Sequence, residues 1–357
     1  MSLKIIITLF LISGFLNAIG QNQIETYYKD CPDCLKERYF GFINETDTFK
    51  NGEYTFFYKT GQVYQTGLFK ENLLTGLWKL YYENGQLKSE LNFEKGKRTG
   101  PFVHYFENGT VSQNGNYKNN FPHGKIIGYY PNGKVQVIGE YDEGILNGKV
   151  EKYKEDGKKE ELLTYKNNEI DGICELYYET GELNYRGYKK KSNYIDTLYV
   201  YYKSGNLQRT CVYKNGKLNG ELTAYYDSLK LMARYAFVDD KIQGLYKTYH
   251  KSGKQAEEGD YERNLRTGHW KAWYPDGSLF TEGEYENGVF EGQWIVYFPT
   301  GKIKQEGVFK SGLANGKWVY YYENGKMMKT GKYMDDKQTG KWKLYDESGK
   351  LIEEKVF

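Results

Sequence analysis

Hydrophobic and polar positions recur along this chain with a period of 24 residues that never slips. The stretch Gly76-Leu-Trp-Lys-Leu-Tyr-Tyr-Glu-Asn-Gly85 returns as Gly316-Lys-Trp-Val-Tyr-Tyr-Tyr-Glu-Asn-Gly325. Units begin at Gly52, Gly76, Gly100, Gly124, Gly148, Gly172, Asp196, Gly220, Gly244, Gly268, Gly292, Gly316 and Gly340, so thirteen follow one another, with Asp196 the single departure from glycine. Counting each start as position 0, an aromatic stands at position 5 of every unit, from Phe57 to Tyr345. A second glycine stands at position 9, usually after Asn, Asp, Ser or Thr, as in Asn84-Gly85 and Asp276-Gly277. Such pairs accept positive φ and close two-residue β-hairpins. Leu229 breaks that column, which predicts a distorted turn in its unit. Turn-forming residues recur again at Asn72, Gly96, Asn120 and their equivalents. Each unit therefore reads as one hairpin plus a connecting turn, and the unbroken period makes successive hairpins neighbours in one elongated, single-sheet, all-β meander.

The expected turn fixes the faces. With an Asn-Gly tip, positions 7 and 10 oppose each other and cross-strand partners sum to 17. Positions 2, 4, 6, 11, 15 and 17 then share an apolar side, as Trp78, Leu80, Tyr82, Leu87, Leu91 and Phe93 do, or Trp294, Val296, Phe298, Ile303, Gly307 and Phe309. Gly283, Gly307 and Gly331 at position 15 stand opposite Trp270, Trp294 and Trp318, leaving room for an indole over the neighbouring backbone. Positions 3, 12 and 14 supply Lys, Glu, Thr and Gln to the other side, where the position-5 aromatics form a ladder. Tyr177, Tyr201, Tyr225, Tyr249, Trp273 and Tyr297 are its candidate binding residues. Two alternatives stand beside that reading: the rings stack on one another and on Lys and Glu stems, or a regular bulge between positions 5 and 6 turns both aromatics inward. Two strands per unit at about 4.8 Å each give roughly 10 Å per repeat, and an array on the order of 120 Å before twist.

Ahead of the repeats, Lys4 is followed by an apolar run from Ile5 to Leu16 and small residues at Ala18 and Gly20. This pattern predicts a signal peptide over 1–20, cleaved before Gln21, and an exported chain that is periplasmic, in the cell envelope or secreted. An uncleaved anchor is the alternative, although the run falls short of the roughly 20 residues that span a bilayer. Residues 21–51 lack the period and read as an N-terminal capping segment, with Tyr39 to Ile43 extended. Residues 52–357 hold the repeats, the last one partial. Composition agrees: 41 Gly and 38 Tyr against 6 Pro suit many strands joined by tight turns. The 50 Lys and Arg nearly balance 47 Asp and Glu, for a net charge of +3, which argues against nucleic acid as a partner.

Candidate chemistry is sparse. Cys31-Pro-Asp-Cys34 reads as a local disulfide, half of a zinc site or a redox dithiol, and the last normally needs a thioredoxin-like setting that is missing around it. Cys174 and Cys211 fall on strands too far apart to pair and read as small buried residues. His104, His123, His250 and His269 occupy different phases of the repeat, so they form no column of metal ligands. Glu257-Glu258 and Glu353-Glu354 point to opposite faces of a strand and make no carboxylate pair. Lys189-Lys190-Lys191 reads as a solvated turn. The glycines sit in hairpin turns, not between a strand and a helix, so no phosphate loop is present. No cofactor is expected.

The pattern Gly-x-Trp-x-x-Tyr-Tyr-x-x-Gly, then an aliphatic, then Gly-x-Tyr-x-x-Gly resembles the MORN repeat, in the bacterial variant often labelled as YwqK-type antitoxin. The resemblance covers 52–357. It implies a scaffold that binds proteins or lipids and sometimes dimerises. The antitoxin label implies a cytoplasmic partner, from which an export signal departs. Two functions from different classes follow: a non-enzymatic scaffold holding a protein, with glycan or a membrane surface as further ligands, and a thiol oxidoreductase using Cys31 and Cys34.

Overall fold

The computed structural model describes residues 4–5, 22–44 and 47–357; of the segment read as a signal peptide, all but the pair Lys4–Ile5 lies outside the described residues. No helix occurs among the described residues, and the chain divides into two compact bodies, 1–181 and 182–357. In each body successive strands pair antiparallel. Leu73–Tyr81 with Leu87–Glu94 is one repeat of the first body, and Leu313–Tyr321 with Met327–Met334 is one of the second. The all-β hairpin meander expected from the 24-residue period is the fold of both.

Positions 0 to 4 pair as the sequence predicts: Gly76 faces Phe93, Trp78 faces Leu91 and Leu80 faces Ser89. The turn is different. The Tyr82 N–H donates to the Gln86 carbonyl at 2.8 Å and the Gly85 N–H to the Tyr82 carbonyl at 2.9 Å. Positions 6 and 10 therefore oppose each other, not 7 and 10, around a three-residue loop that ends in Gly85 at φ 85°. Such a loop is a type I turn closed by a left-handed glycine bulge. The two-residue turn occupies the other connection, where Glu71 and Asn72 have φ of 51° and 62°.

The longer loop is absorbed by a slip at position 12, since Tyr81 faces Leu87 while Leu80 already faces Ser89. A bulge was foreseen as an alternative between positions 5 and 6; it lies between 4 and 5, with its extra residue on the opposite strand. Two face assignments change as a result. Position 11, Leu87 or Ile303, sits directly opposite position 5 and joins the aromatic column on that side. Position 12 crosses to the apolar side, where Tyr64 meets Phe56 and Tyr58 at ring separations of 5.8 and 5.1 Å. Phe280 likewise meets Tyr274 at 4.9 Å, and Lys88 lays its ammonium 5.2 Å from the Tyr82 ring.

Leu229 does not distort its turn. Its N–H donates to the Tyr226 carbonyl at 2.8 Å, as the glycines do, and the leucine itself takes φ 61°. The repeat's hydrogen bonds are strong enough together to force a left-handed leucine.

The core of each body is the position-2 column, which includes Tyr54, Trp78 and Phe102 in the first and Trp270, Trp294, Trp318 and Trp342 in the second, all buried. Gly283 does pair with Trp270, but the indole over it belongs to the next unit. A Cβ at Gly283 would strike the Trp294 ring, one at Gly307 the Trp318 ring and one at Gly331 the Trp342 ring. Each indole also donates Nε1–H backward to a main-chain carbonyl of the preceding unit: Trp294 to Glu284 at 3.0 Å, Trp318 to Val308 at 3.2 Å, Trp342 to Lys332 at 3.1 Å. Position-17 rings wedge between them edge-on, in the order Tyr285, Trp294, Phe309, Trp318, Tyr333 and Trp342 with interplanar angles from 80° to 89°. Edge-to-face contacts of this kind add about 0.5–1.5 kcal/mol each beyond area burial.

The segment before the repeats is itself a hairpin, Asn22–Tyr28 with Cys31–Asn44, and the latter strand contains the extended Tyr39 to Ile43 expected there. Ile24 faces Tyr39 and Tyr39 faces Tyr54, so the buried column continues through it. Ile24, Tyr39, Tyr54 and Trp78 form one buried cluster, with Ile24 fully enclosed.

Candidate functional site

Tyr177, Tyr201, Tyr225, Tyr249, Trp273 and Tyr297 are all half-buried, neither standing free of the sheet nor enclosed by it. They lie on the side of positions 3 and 14, as expected, and several hydroxyls of the column engage carboxylates there. Tyr297 donates to Glu282 at 2.7 Å and Tyr321 to Glu306 at 2.7 Å, each reaching position 14 of the preceding unit. Tyr153 donates to Glu151 at 2.6 Å, and Tyr177 to Glu175, two residues back on the same strand. Burial and then the Glu282 bond push the Tyr297 hydroxyl up to about 12. The same bond, with help from His269, holds the Glu282 carboxyl below its usual range. Opposite these rings stand the position-11 residues, Leu231 facing Tyr225, Gln255 facing Tyr249, Leu279 facing Trp273 and Ile303 facing Tyr297, and the tyrosines bonded to carboxylates are held at their tips.

The apolar side carries a second tyrosine column at position 6, each ring reaching forward. Tyr82 donates to the Tyr105 carbonyl at 2.8 Å, Tyr202 to that of Tyr225 at 2.8 Å and Tyr226 to that of Tyr249 at 2.8 Å; His250 Nε2 lies 2.9 Å from the Trp273 carbonyl. Between this column and the position-2 column runs the row of positions 4 and 13. In the second body that row sinks into a trench of about 540 Å³. Ala224 and Ala233 face each other at its base, followed by Thr248. Leu222, Tyr235 and Tyr246 wall it on one side, and Tyr226, Met232 and His250 on the other. Arg209 stands opposite Ala224 at one end. It is the one Lys, Arg, Asp or Glu among the lining residues and makes no hydrogen bond or ion pair among the described residues. Glu257, next after Thr248 along the row, is held by Arg266 at 3.2 Å.

The trench leaves no recurring column in the sequence. The signal was a departure: Ala224 stands where other repeats have Leu80, Val296 or Tyr320, Ala233 where they have Val137 or Tyr185, and Ala256 where they have Phe280.

Cys31 and Cys34 are joined as a disulfide. It spans an excursion at the hairpin tip, where Tyr28 faces Cys31 while Tyr27 already faces Leu35. Cys174 and Cys211 form no disulfide and are buried at repeat positions 2 and 15. No group of three or more His, Cys, Asp or Glu able to hold a metal occurs among the described residues. Among those residues no helix is long and apolar enough to cross a membrane.

A family model described as MORN repeat variant matches residues 50–71, 74–95, 98–119, 122–143, 146–167, 197–215, 266–287, 290–311, 314–335 and 338–357. No curated protein matches the chain. Solved structures that match include TcdB2-TccC3 without its hypervariable C-terminal region, at 13% identity over 92% of this chain with a TM-score of 0.19. TcdB2-TccC3-Cdc42 matches at 11% identity over 94% of this chain with a TM-score of 0.14. The chain spans about a fifth of those chains, 20% and 22% respectively.

Proposed function

The chain belongs to the MORN repeat variant family, and from that premise we propose that it is an exported, non-enzymatic repeat scaffold that holds a protein partner on the apolar side of its sheet. One observation carries the reading: on that side the position-6 rings and Tyr64 stand half-buried and Phe280 stands exposed, alongside the buried position-2 column, and the position-6 hydroxyls and His250 are already bonded to main-chain carbonyls. A surface of fixed rings with satisfied polar atoms loses little conformational freedom when a partner covers it. Repetition then supplies many weak equivalent contacts in place of one tight pocket.

The test is affinity capture from cell-envelope extract with the full chain and two sets of variants. Tyr64→Lys and Phe280→Lys place charge on the apolar side, whereas Leu77→Lys and Leu245→Lys place it on the other, where both leucines are exposed. Loss of the same captured protein with the first pair alone supports the reading. Equal capture by both pairs refutes it, and retention of glycan or anionic vesicles in place of protein transfers the function to those ligands.

A further inference from the structure

The trench at Arg209 is unlike the rest of the apolar side. Along most of that side the row of positions 4 and 13 is filled, and here Ala224 and Ala233 leave room for two or three side chains. The residues that shape it from 222 to 256 fall between the matched repeats 197–215 and 266–287, whereas Tyr202, Gln208 and Arg209 lie within the first of these. Its polar equipment is asymmetric. Tyr202 and Tyr226 donate their hydroxyls to the carbonyls of Tyr225 and Tyr249, and His250 directs Nε2 at that of Trp273, so these rings are held in place. At one end Arg209 offers an exposed guanidinium with no partner, whereas the carboxylate beyond the other end, Glu257, is already neutralised by Arg266.

We propose that this trench is a peptide-binding site that takes an Asp or Glu side chain on Arg209 and an adjoining apolar side chain over Ala224 and Ala233. The proposal rests on the protein-binding reading above and names the chemistry its partner presents. A planar guanidinium matches a carboxylate through two parallel hydrogen bonds. Alanine floors between aromatic walls accept an aliphatic or aromatic side chain without requiring any polar match.

The experiment is selection of displayed random peptides on the full chain, followed by titration of the enriched peptide into wild type, Arg209→Glu and Ala233→Trp. Wild type is expected to enrich Asp or Glu beside an apolar residue. Each variant is expected to lose roughly tenfold or more in affinity for that peptide, the first by losing a charge-assisted bond and the second by filling the floor. Selection on Arg209→Glu is expected to favour Lys or Arg instead, and this exposed position keeps the test valid if Ala233→Trp fails to fold. No enrichment, peptides indifferent to Arg209→Glu, or Arg209-dependent retention of phosphatidylglycerol vesicles without any peptide would each overturn the assignment. Capture of the envelope partner undiminished by both variants would leave the scaffold reading standing and remove the trench from it.

Discussion

Replacing Gly307 by alanine isolates the contact between neighbouring repeats. Gly307 is buried and pairs with Trp294, while the Trp318 indole covers it from the next unit. An added Cβ would overlap that ring, and the ring has nowhere to go. Phe309 and Tyr333 hold it edge-on at 5.1 and 5.9 Å, and its Nε1–H is committed to the Val308 carbonyl. Overpacking of a fixed core ring costs about 1–3 kcal/mol. Alanine at Gly301 serves as control, since φ there is 82° and nothing lies within 4 Å, so only left-handed backbone strain of about 1–2 kcal/mol applies. The decisive measurement is a double-mutant cycle with Trp318→Leu. Once the indole is gone, Gly307→Ala should cost close to nothing, so the pair should couple by about 1–3 kcal/mol, well beyond the roughly 0.5 kcal/mol scatter of independent sites. Repeat arrays need not unfold in one step, so the free energies should be read locally, from native-state hydrogen exchange of the strands Ile303–Lys310 and Leu313–Tyr321. The same cost for Gly307→Ala with and without the indole would refute the interlocking of units through this column.

Three further outcomes follow from the same geometry. Leu229→Gly should stabilise the protein by about 0.5–1 kcal/mol, because it relieves a left-handed leucine that is also largely exposed; an unchanged or lower melting temperature would count against strain there. Tyr202→Phe removes a hydroxyl donating to the Tyr225 carbonyl at 2.8 Å and should cost about 0.5–1.5 kcal/mol, read as a shifted urea midpoint with unchanged slope. In the Tyr297–Glu282 pair the two limbs have opposite signs. The raised tyrosine contributes stability that is full below its unfolded pKa near 10 and is lost as pH climbs toward about 12, whereas the lowered carboxyl contributes above its unfolded value and loses that contribution as pH falls through its depressed one. Melting temperature against pH should therefore fall at both ends for wild type, and Tyr297→Phe should flatten both falls; a profile identical to wild type would show the bond to be idle.

How much of this was legible depended on whether a feature obeyed the period. The pairing of positions 0 to 4 followed from the repeat alone, because the slip at position 12 compensates for the extra loop residue and leaves the far strands in register. The tip itself was not legible. Asn-Gly suits either a two-residue turn or a type I turn with a glycine bulge, and only the second carries Leu87 to the aromatic side and Lys88 to the apolar one. The hairpin ahead of Gly52 was hidden for a related reason: the excursion bridged by Cys31 and Cys34 sets Ile24 and Tyr39 fifteen residues apart, against thirteen between Trp78 and Leu91, so a search at fixed spacing passes over it. The trench left only absences of bulk, which a search for recurring residues discards.

Two sets of bonds that tie one repeat to the next end on main-chain carbonyls, with tryptophan reaching back and tyrosine reaching forward. A carbonyl is present whatever residue supplies it. Through these bonds a repeat grips its neighbour without needing to recognise it, and a copy inserted, deleted or exchanged by recombination finds those acceptors waiting on both sides, provided a glycine lies under each indole. Length in such an array is free to drift at little risk to folding, and a lineage can lengthen its surface, or set an odd repeat with a new hollow among ordinary ones, in a single genetic step.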